Sequence, residues 1–407
     1  MHALLALTLH GTLVVANING NTVTIIDVAT HQTVATVPGH TLTVIDLAPR
    51  VPSVVRTIDL GADYHRPHGS SFLPGDTTML VTVEDAPARR SPPIAEQVTF
   101  RNGDVTLAGT LYLPAEAGPH PAIVAFHASN GGTRDYDAYQ HLARALPPAG
   151  FAVLLFDRRG EGASTGDRRT ASFTDLASDG VAGVSYLASR SDIDRSRIGV
   201  WGMSQGGWLA PLAATMSRDI AFVIAVSAPA VGPAGQMDYT ARYALEAAGQ
   251  PPSVVDHALR VRAVVNDYYR GRGSKSDAGL AIDSIRGQPW FGQVFIPNGG
   301  TLPDDPTQTK WYATMDYDPL LAVAKVTVPM AFFFAEHDAY VPVEESMTRT
   351  RQAARVSDLT IRRVASTDHY METGKPESGG PTSRQYVDQL LEWLHRHEGS
   401  TRARGRS

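Results

Sequence analysis

The chain has 407 residues, 43% of them hydrophobic and 19% charged, enough apolar side chains for a sizeable core. A formal net charge of −5 argues against a general nucleic-acid binder, and no stretch approaches the roughly 20 apolar residues needed to span a bilayer. With no cysteine, disulfides, thiolate nucleophiles and cysteine-ligated zinc are excluded.

The length suggests two or more domains. Met1 to Leu9 is a short apolar run without a basic leader segment or a clean small-residue cleavage site, so it reads as a first strand. The chain as it stands would be cytoplasmic, or secreted or periplasmic if a leader has been removed. Residues 1 to about 90 read as β throughout. Short runs rich in Val, Ile and Thr (Leu13–Ala16, Thr22–Asp27, Thr33–Val37, Thr41–Asp46, Val54–Ile58) are separated by turns carrying Asn, Gly and Pro. The stretch from Thr22 to Ala29 repeats at Thr41 to Ala48, and His65-Arg-Pro-His-Gly69 and Phe72-Leu-Pro-Gly-Asp76 follow. Over residues 12 to 86 this resembles the blade repeat of YVTN-type β-propellers. The two Asp-bearing strands stand 19 positions apart, whereas a four-stranded blade needs about 40 residues. The expected unit is therefore a small all-β N-terminal module, packed on the catalytic domain or pairing through its edges to make a homo-oligomer.

Pro87-Ala-Arg-Arg-Ser-Pro-Pro93 is a linker, and the pattern changes after it. Val98–Phe100 and Val105–Leu113 read as an antiparallel pair around Asn102-Gly103. The continuous apolar run Pro121–Phe126 and the strands read at Phe151–Phe156, Arg197–Trp201, Ile220–Val226, Pro329–Ala335 and Leu359–Val364 then alternate with helical stretches. The predicted fold is α/β: a doubly wound, mainly parallel sheet over residues 91–398, interrupted by a helical cap at about 232–325. The cap has helices from Tyr239 to Ala248 and Val254 to Tyr269, then a Gly/Ser/Lys-rich stretch and the aromatics Trp290, Phe291, Trp311, Tyr312 and Tyr317. Residues 399–407 are polar and basic and are expected to be a disordered tail.

Chemistry enters at Gly202-Met-Ser-Gln-Gly206, where a β-branched run turns into a helix. A serine on such a sharp strand-to-helix turn is pushed clear of the backbone, and the flanking glycines let strand and helix approach closely. A serine hydroxyl is a weak nucleophile until a base activates it, and a third group must orient that base. Asp338, directly after a buried strand, and His369, in the loop after the next strand, are the candidates, with Glu336 or Asp368 as rival carboxylates and His337 as a rival base. The oxyanion of the reaction needs aimed donors. These are expected to be the backbone N–H of Gln205 and that of Ser129 in the loop His127-Ala-Ser-Asn-Gly-Gly132, with Ala128 the neighbouring alternative. His127, Trp208 and Trp311 are the candidate substrate contacts. The loop Asp157-Arg-Arg-Gly-Glu-Gly-Ala-Ser164 is read as tying loops together.

Residues 95 to 397 resemble bacterial α/β-hydrolases of the group containing carboxylesterases, serine aminopeptidase-like and prolyl-oligopeptidase-like enzymes. The resemblance is carried by His127–Gly132, Asp157-Arg-Arg-Gly160, Gly202-Met-Ser-Gln-Gly-Gly-Trp208, Met315-Asp-Tyr-Asp-Pro319 and the loops of Asp338 and His369. It departs at Ala128, where such loops usually carry glycine. It implies a Ser204–His369–Asp338 triad and a metal- and cofactor-free hydrolysis of a small-molecule carboxylic ester. The alternatives are a prolyl-oligopeptidase-like or aminopeptidase-like serine peptidase, or a β-module that recruits a partner and carries a weakly active hydrolase. No residue declares itself as a fixed charge for a peptide terminus.

Overall fold

A computed structural model describes residues 93–374 and 380–397 and, before them, only the backbone of short strands between Ala3 and Val83. The residues that join these strands, and all side chains before residue 93, lie outside the described residues, and with them the blade-like resemblance over residues 12–86 and the module built from it; so does the tail 399–407. The chain divides after Ser91 into two units.

In the second unit, β1 (Ile94–Asn102) and β2 (Val105–Leu113) form an antiparallel hairpin, with Val105 facing Asn102 and Gly103 at φ 58° in the turn. A side chain is strained at that φ, which is why Asn-Gly serves here. The strands that follow are β3 (His120–Phe126), β4 (Ala152–Phe156), β5 (Ile193–Met203), β6 (Phe222–Val226), β7 (Met330–Ala335) and β8 (Leu359–Val364). They complete one eight-stranded sheet in the order β1-β2-β4-β3-β5-β6-β7-β8. From β4 through β8 every neighbouring pair is parallel, and the β1–β2 and β2–β4 pairs are antiparallel. The continuous apolar runs read from the sequence are strands buried on both faces: β3, β4, β6 and β7 are buried at every position.

Alternate residues of each strand feed two cores. Ala122, Val124 and Phe126 pack with Leu176, Val184 and Leu209 from α2 (Phe173–Ala188) and α3 (Gln205–Met216). Ile123, Ala125 and Trp201 pack on the other face. There they meet Tyr139 and Leu142 of α1 (Asp137–Ala145) and Tyr386, Leu390 and Trp393 of the terminal helix (Arg384–His397). Helix α2 begins at a capping box, in which Ser172 Oγ accepts from Asp175 N and the Asp175 carboxylate accepts from Ser172 N. This is the α/β-hydrolase fold.

Between β6 and β7 the chain leaves the sheet to build the cap from α4 (Pro233–Ala247), α5 (Pro252–Tyr269), α6 (Lys275–Arg286), α7 (Lys310–Thr314) and α8 (Leu320–Val323). The Gly/Ser/Lys-rich stretch makes the turn around Gly271–Gly273 and then opens helix α6. Ser274 caps it by accepting from Asp277 N, and Ala278, Ile282 and Ile285 recur on one face and are buried. The cap has a core of its own, with Leu245, Val261, Val265, Ile282, Ile285 and Trp290. Beyond it the chain returns through β7, helix α9 (Val343–Ala353), β8 and the terminal helix, α10.

Candidate active site

Ser204 follows β5 at φ 55° and ψ −116°, a conformation that non-glycine residues rarely hold, and α3 begins at the next residue. The turn is fixed from both sides. Ser204 N donates to Val226 O of β6 at 2.8 Å, and Ser204 O accepts from Gly207 N at 2.8 Å. No room exists for side chains beside it. A Cβ on Gly202 would stand 2.0 Å from Gly206 O, and one on Gly206 would stand 2.5 Å from Phe126 O. Glycine is required at both positions by space.

Asp338 and His369 lie just beyond β7 and β8, at the same edge of the sheet as Ser204. His369 Nδ1 is 2.9 Å from each carboxylate oxygen of Asp338. Asp338 Oδ1 also accepts from Tyr340 N at 2.8 Å and Val341 N at 2.9 Å, so the loop after β7 holds the carboxylate in place. All three side chains belong to buried residues, with Ser204 5%, Asp338 3% and His369 5% exposed. The imidazole lies between two phenol rings, Tyr340 at 4.9 Å and Tyr370 at 5.3 Å. Of the rivals, Glu336 accepts from Ser366 N at 2.8 Å and faces the exposed His337 at 3.6 Å. Asp368 accepts from the amides of Tyr370 and Glu372 within its own loop. The carboxylate on His369 is that of Asp338.

The loop after β3 lies against the elbow, since a Cβ on Gly206 would stand 2.5 Å from Phe126 O and 2.9 Å from His127 O. Ala128 N donates to Tyr139 Oη at 2.9 Å and is thereby spent, whereas Ser129 N donates to no other group among the described residues. Gln205 opens α3, so its N–H has no acceptor within the helix. Arg158 secures this loop. Its Nη1 donates to Ala128 O at 3.0 Å, both Nη atoms donate to Ser129 O at 3.2 Å, and Nε donates to Glu161 at 2.7 Å. The sequence marks the segment from Asp157 as a loop tie without singling out Arg158; the available signal is its position two residues past the end of a buried strand.

The three expected substrate contacts are placed differently. The His127 ring is buried, its Nε2 donating to Phe156 O at 2.5 Å and its face 4.7 Å from the Phe156 ring. Burial and the neighbouring Arg158 charge push its pKa down to about 4, so it is neutral at pH 7. Trp208 is buried too; its Nε1 donates to Pro229 O at 2.6 Å and it packs on Phe173 and Tyr317 beneath the elbow. Neither side chain points outward to a ligand. Trp311 is half-buried in the cap, bonded to Asn266 at 3.2 Å and packed on Phe295. Among the described residues the cap touches the site's loops at two polar points. Tyr239 Oη donates to Asp338 O at 3.0 Å, and Lys310 Nζ donates to Arg168 O at 2.7 Å. Among the described residues no group of His, Asp or Glu is arranged to hold a metal ion, and no helix is long and apolar enough to cross a membrane.

Known proteins share this ground. An uncharacterized Mycobacterium tuberculosis protein is 31% identical over 36% of this chain and 50% of its own length. The quorum-quenching protein AidA of Acinetobacter baumannii is 25% identical over 74% of this chain and 95% of its own. Esterase EstD of Thermotoga maritima is 21% identical over 74% of this chain and 69% of its own. The chain thus spans about half the length of the first curated relatives it matches. Residues 118–281, from the start of β3 into the cap and including the Ser204 elbow, match the family described as serine aminopeptidase, S33.

Proposed function

We propose that this chain is a serine hydrolase that cleaves carboxylic esters through an acyl-enzyme, with Ser204 as nucleophile, His369 as base and Asp338 as its orienter. One observation carries the reading: the His369 imidazole is held by two oxygens of a buried carboxylate at the sheet edge where Ser204 stands on its strained turn. A carboxylate only accepts hydrogen bonds, so Nδ1 carries the proton and Nε2 is left with a lone pair. That nitrogen takes the Ser204 proton as Oγ attacks the ester carbonyl, and the imidazolium formed is stabilised by Asp338. The N–H groups of Gln205 and Ser129 receive the oxyanion. The imidazolium protonates the departing alcohol, and water, activated by the same imidazole, releases the acid. His127 is a positioning residue in this scheme, anchoring the oxyanion loop to β4. The similarity to Esterase EstD supports an ester substrate.

The test is hydrolysis of p-nitrophenyl acetate, butyrate and octanoate, with a proline anilide alongside, by the parent and Ser204→Ala. Ester turnover lost in the variant and no anilide cleavage are expected, and the chain-length profile reports the pocket. Anilide cleavage would favour a peptidase instead, the reading that the aminopeptidase match supports. Turnover surviving in Ser204→Ala would overturn the mechanism.

A further inference from the structure

The seam between the cap helix α7 and the loop after β4 holds more positive charge than the chain neutralises. Lys310, the first residue of α7, is half-buried and spends one proton on Arg168 O; no carboxylate of the described residues pairs with it. Beside it, the single carboxylate of Glu161 serves two guanidiniums, Arg158 Nε at 2.7 Å and Arg168 Nε at 3.4 Å. The other acids of the segment are engaged. Asp167 is paired with Arg169 at 2.9 Å. Asp157 accepts from the amides of Arg134 at 2.9 Å and Ala163 at 2.8 Å and faces the Arg134 guanidinium at 3.7 Å. Burial, then the Arg158 and Arg168 charges, hold the Lys310 pKa below the ordinary lysine value. An ammonium kept against both desolvation and like charge is strongly stabilised by an anion, and Nζ has two protons left to donate. The seam is tied to the proposed acyl site through one side chain, because Arg158 also donates to the carbonyls of Ala128 and Ser129.

We infer that Lys310, with Arg168, forms a subsite for a carboxylate carried by the ester substrate. The inference rests on the ester-hydrolase reading and narrows it to acidic esters, with the carboxylate on either the acyl or the alcohol side. The full chain is assayed on two matched pairs. Mono-p-nitrophenyl glutarate against methyl p-nitrophenyl glutarate reads the acyl side, and 4-acetoxybenzoate against methyl 4-acetoxybenzoate reads the alcohol side. The readout is the acid-to-neutral ratio of kcat/KM at low salt. The parent should favour the acid in one pair, Lys310→Met should lower that ratio about tenfold, and Lys310→Arg should restore most of it. A ratio unchanged by Lys310→Met in both pairs, or a parent that favours both neutral esters, overturns the subsite. A thermal-shift titration with glutarate and benzoate separates the two readings. If no ester is hydrolysed but a dianion or anion raises Tm in the parent and not in Lys310→Met, the ester reading falls and the subsite stands. No shift in the parent together with no acid preference removes the subsite.

Discussion

Asp338 uses its oxygens twice, once on the imidazole and once on the amides of Tyr340 and Val341. That division makes Asp338→Asn an informative change. The asparagine oxygen can keep both loop amides while its NH2 faces His369 Nδ1 and forces the wrong tautomer. We expect kcat for p-nitrophenyl acetate to fall about 10,000-fold with Tm nearly unchanged. That Ser204, Asp338 and His369 each stand at or shortly past the end of a strand was legible in the sequence, because each strand reads as a Val-, Ile-, Leu- or Phe-rich run that stops at a turn. Side-chain direction was not. His127 and Trp208 flank motif positions, but the carbonyls of Phe156 and Pro229 claim their ring N–H groups, and nothing in local spacing announces partners 29 and 21 residues away.

At the scale of elements, the loop after β3, which is proposed to hold the oxyanion, has no regular structure of its own and borrows its shape from the Arg158 fork. Arg158→Lys keeps the charge and loses the planar geometry. The expected outcome is a kcat lowered roughly 10- to 100-fold with KM little changed, read from steady-state ester kinetics. The elbow obeys a stricter rule. Gly206→Ala drives a methyl into the carbonyls of Phe126 and His127, so β3 and α3 must separate. A loss of at least about 1–3 kcal/mol is expected in urea melts, together with most of the activity. Strands β3, β4, β6 and β7 were readable from sequence because each is an almost uninterrupted apolar run bounded by breakers. Helix α6 was not, since its three buried residues are spread through Gly, Ser, Asp and Lys and its apolar stripe is narrow.

Across the described molecule, the sheet separates two cores, and two buried histidines, His127 and His141, are neutral in the fold. His141 is buried against Trp201 and Tyr386, its Nδ1 donating to Ala138 O, and burial pushes its pKa down to about 4, as it does for His127. The unfolded chain takes up these protons near pH 6.5 and the folded chain resists until about 4. Stability contributed by these sites is therefore present above pH 6.5 and lost as pH falls through that window, by roughly 3 kcal/mol for each. Differential scanning calorimetry should show Tm dropping between pH 6.5 and 4, and His141→Phe should flatten part of that slope. The molecule also opens a cavity of about 610 Å³ lined by Pro121, Arg195, Arg218, Pro329 and Asp358. These residues sit at the starts of the strands, opposite the edge with Ser204, and ligands of open α/β sheets bind at the strands' carboxyl ends. Size alone therefore does not mark the edge at which Ser204 stands.

The insertion of the cap between β6 and β7 has a consequence for how the molecule can be divided. A cut in the turn Gly271–Gly273, between α5 and α6, leaves β1 to β6 and Ser204 on one fragment and β7, β8, Asp338 and His369 on the other. Ser227 N bonds to Phe333 O across the sheet, and the cap's core draws side chains from both sides of the cut. On the proposed mechanism each half is silent alone and turnover reappears only where the two are brought together, which would make the scaffold a proximity reporter.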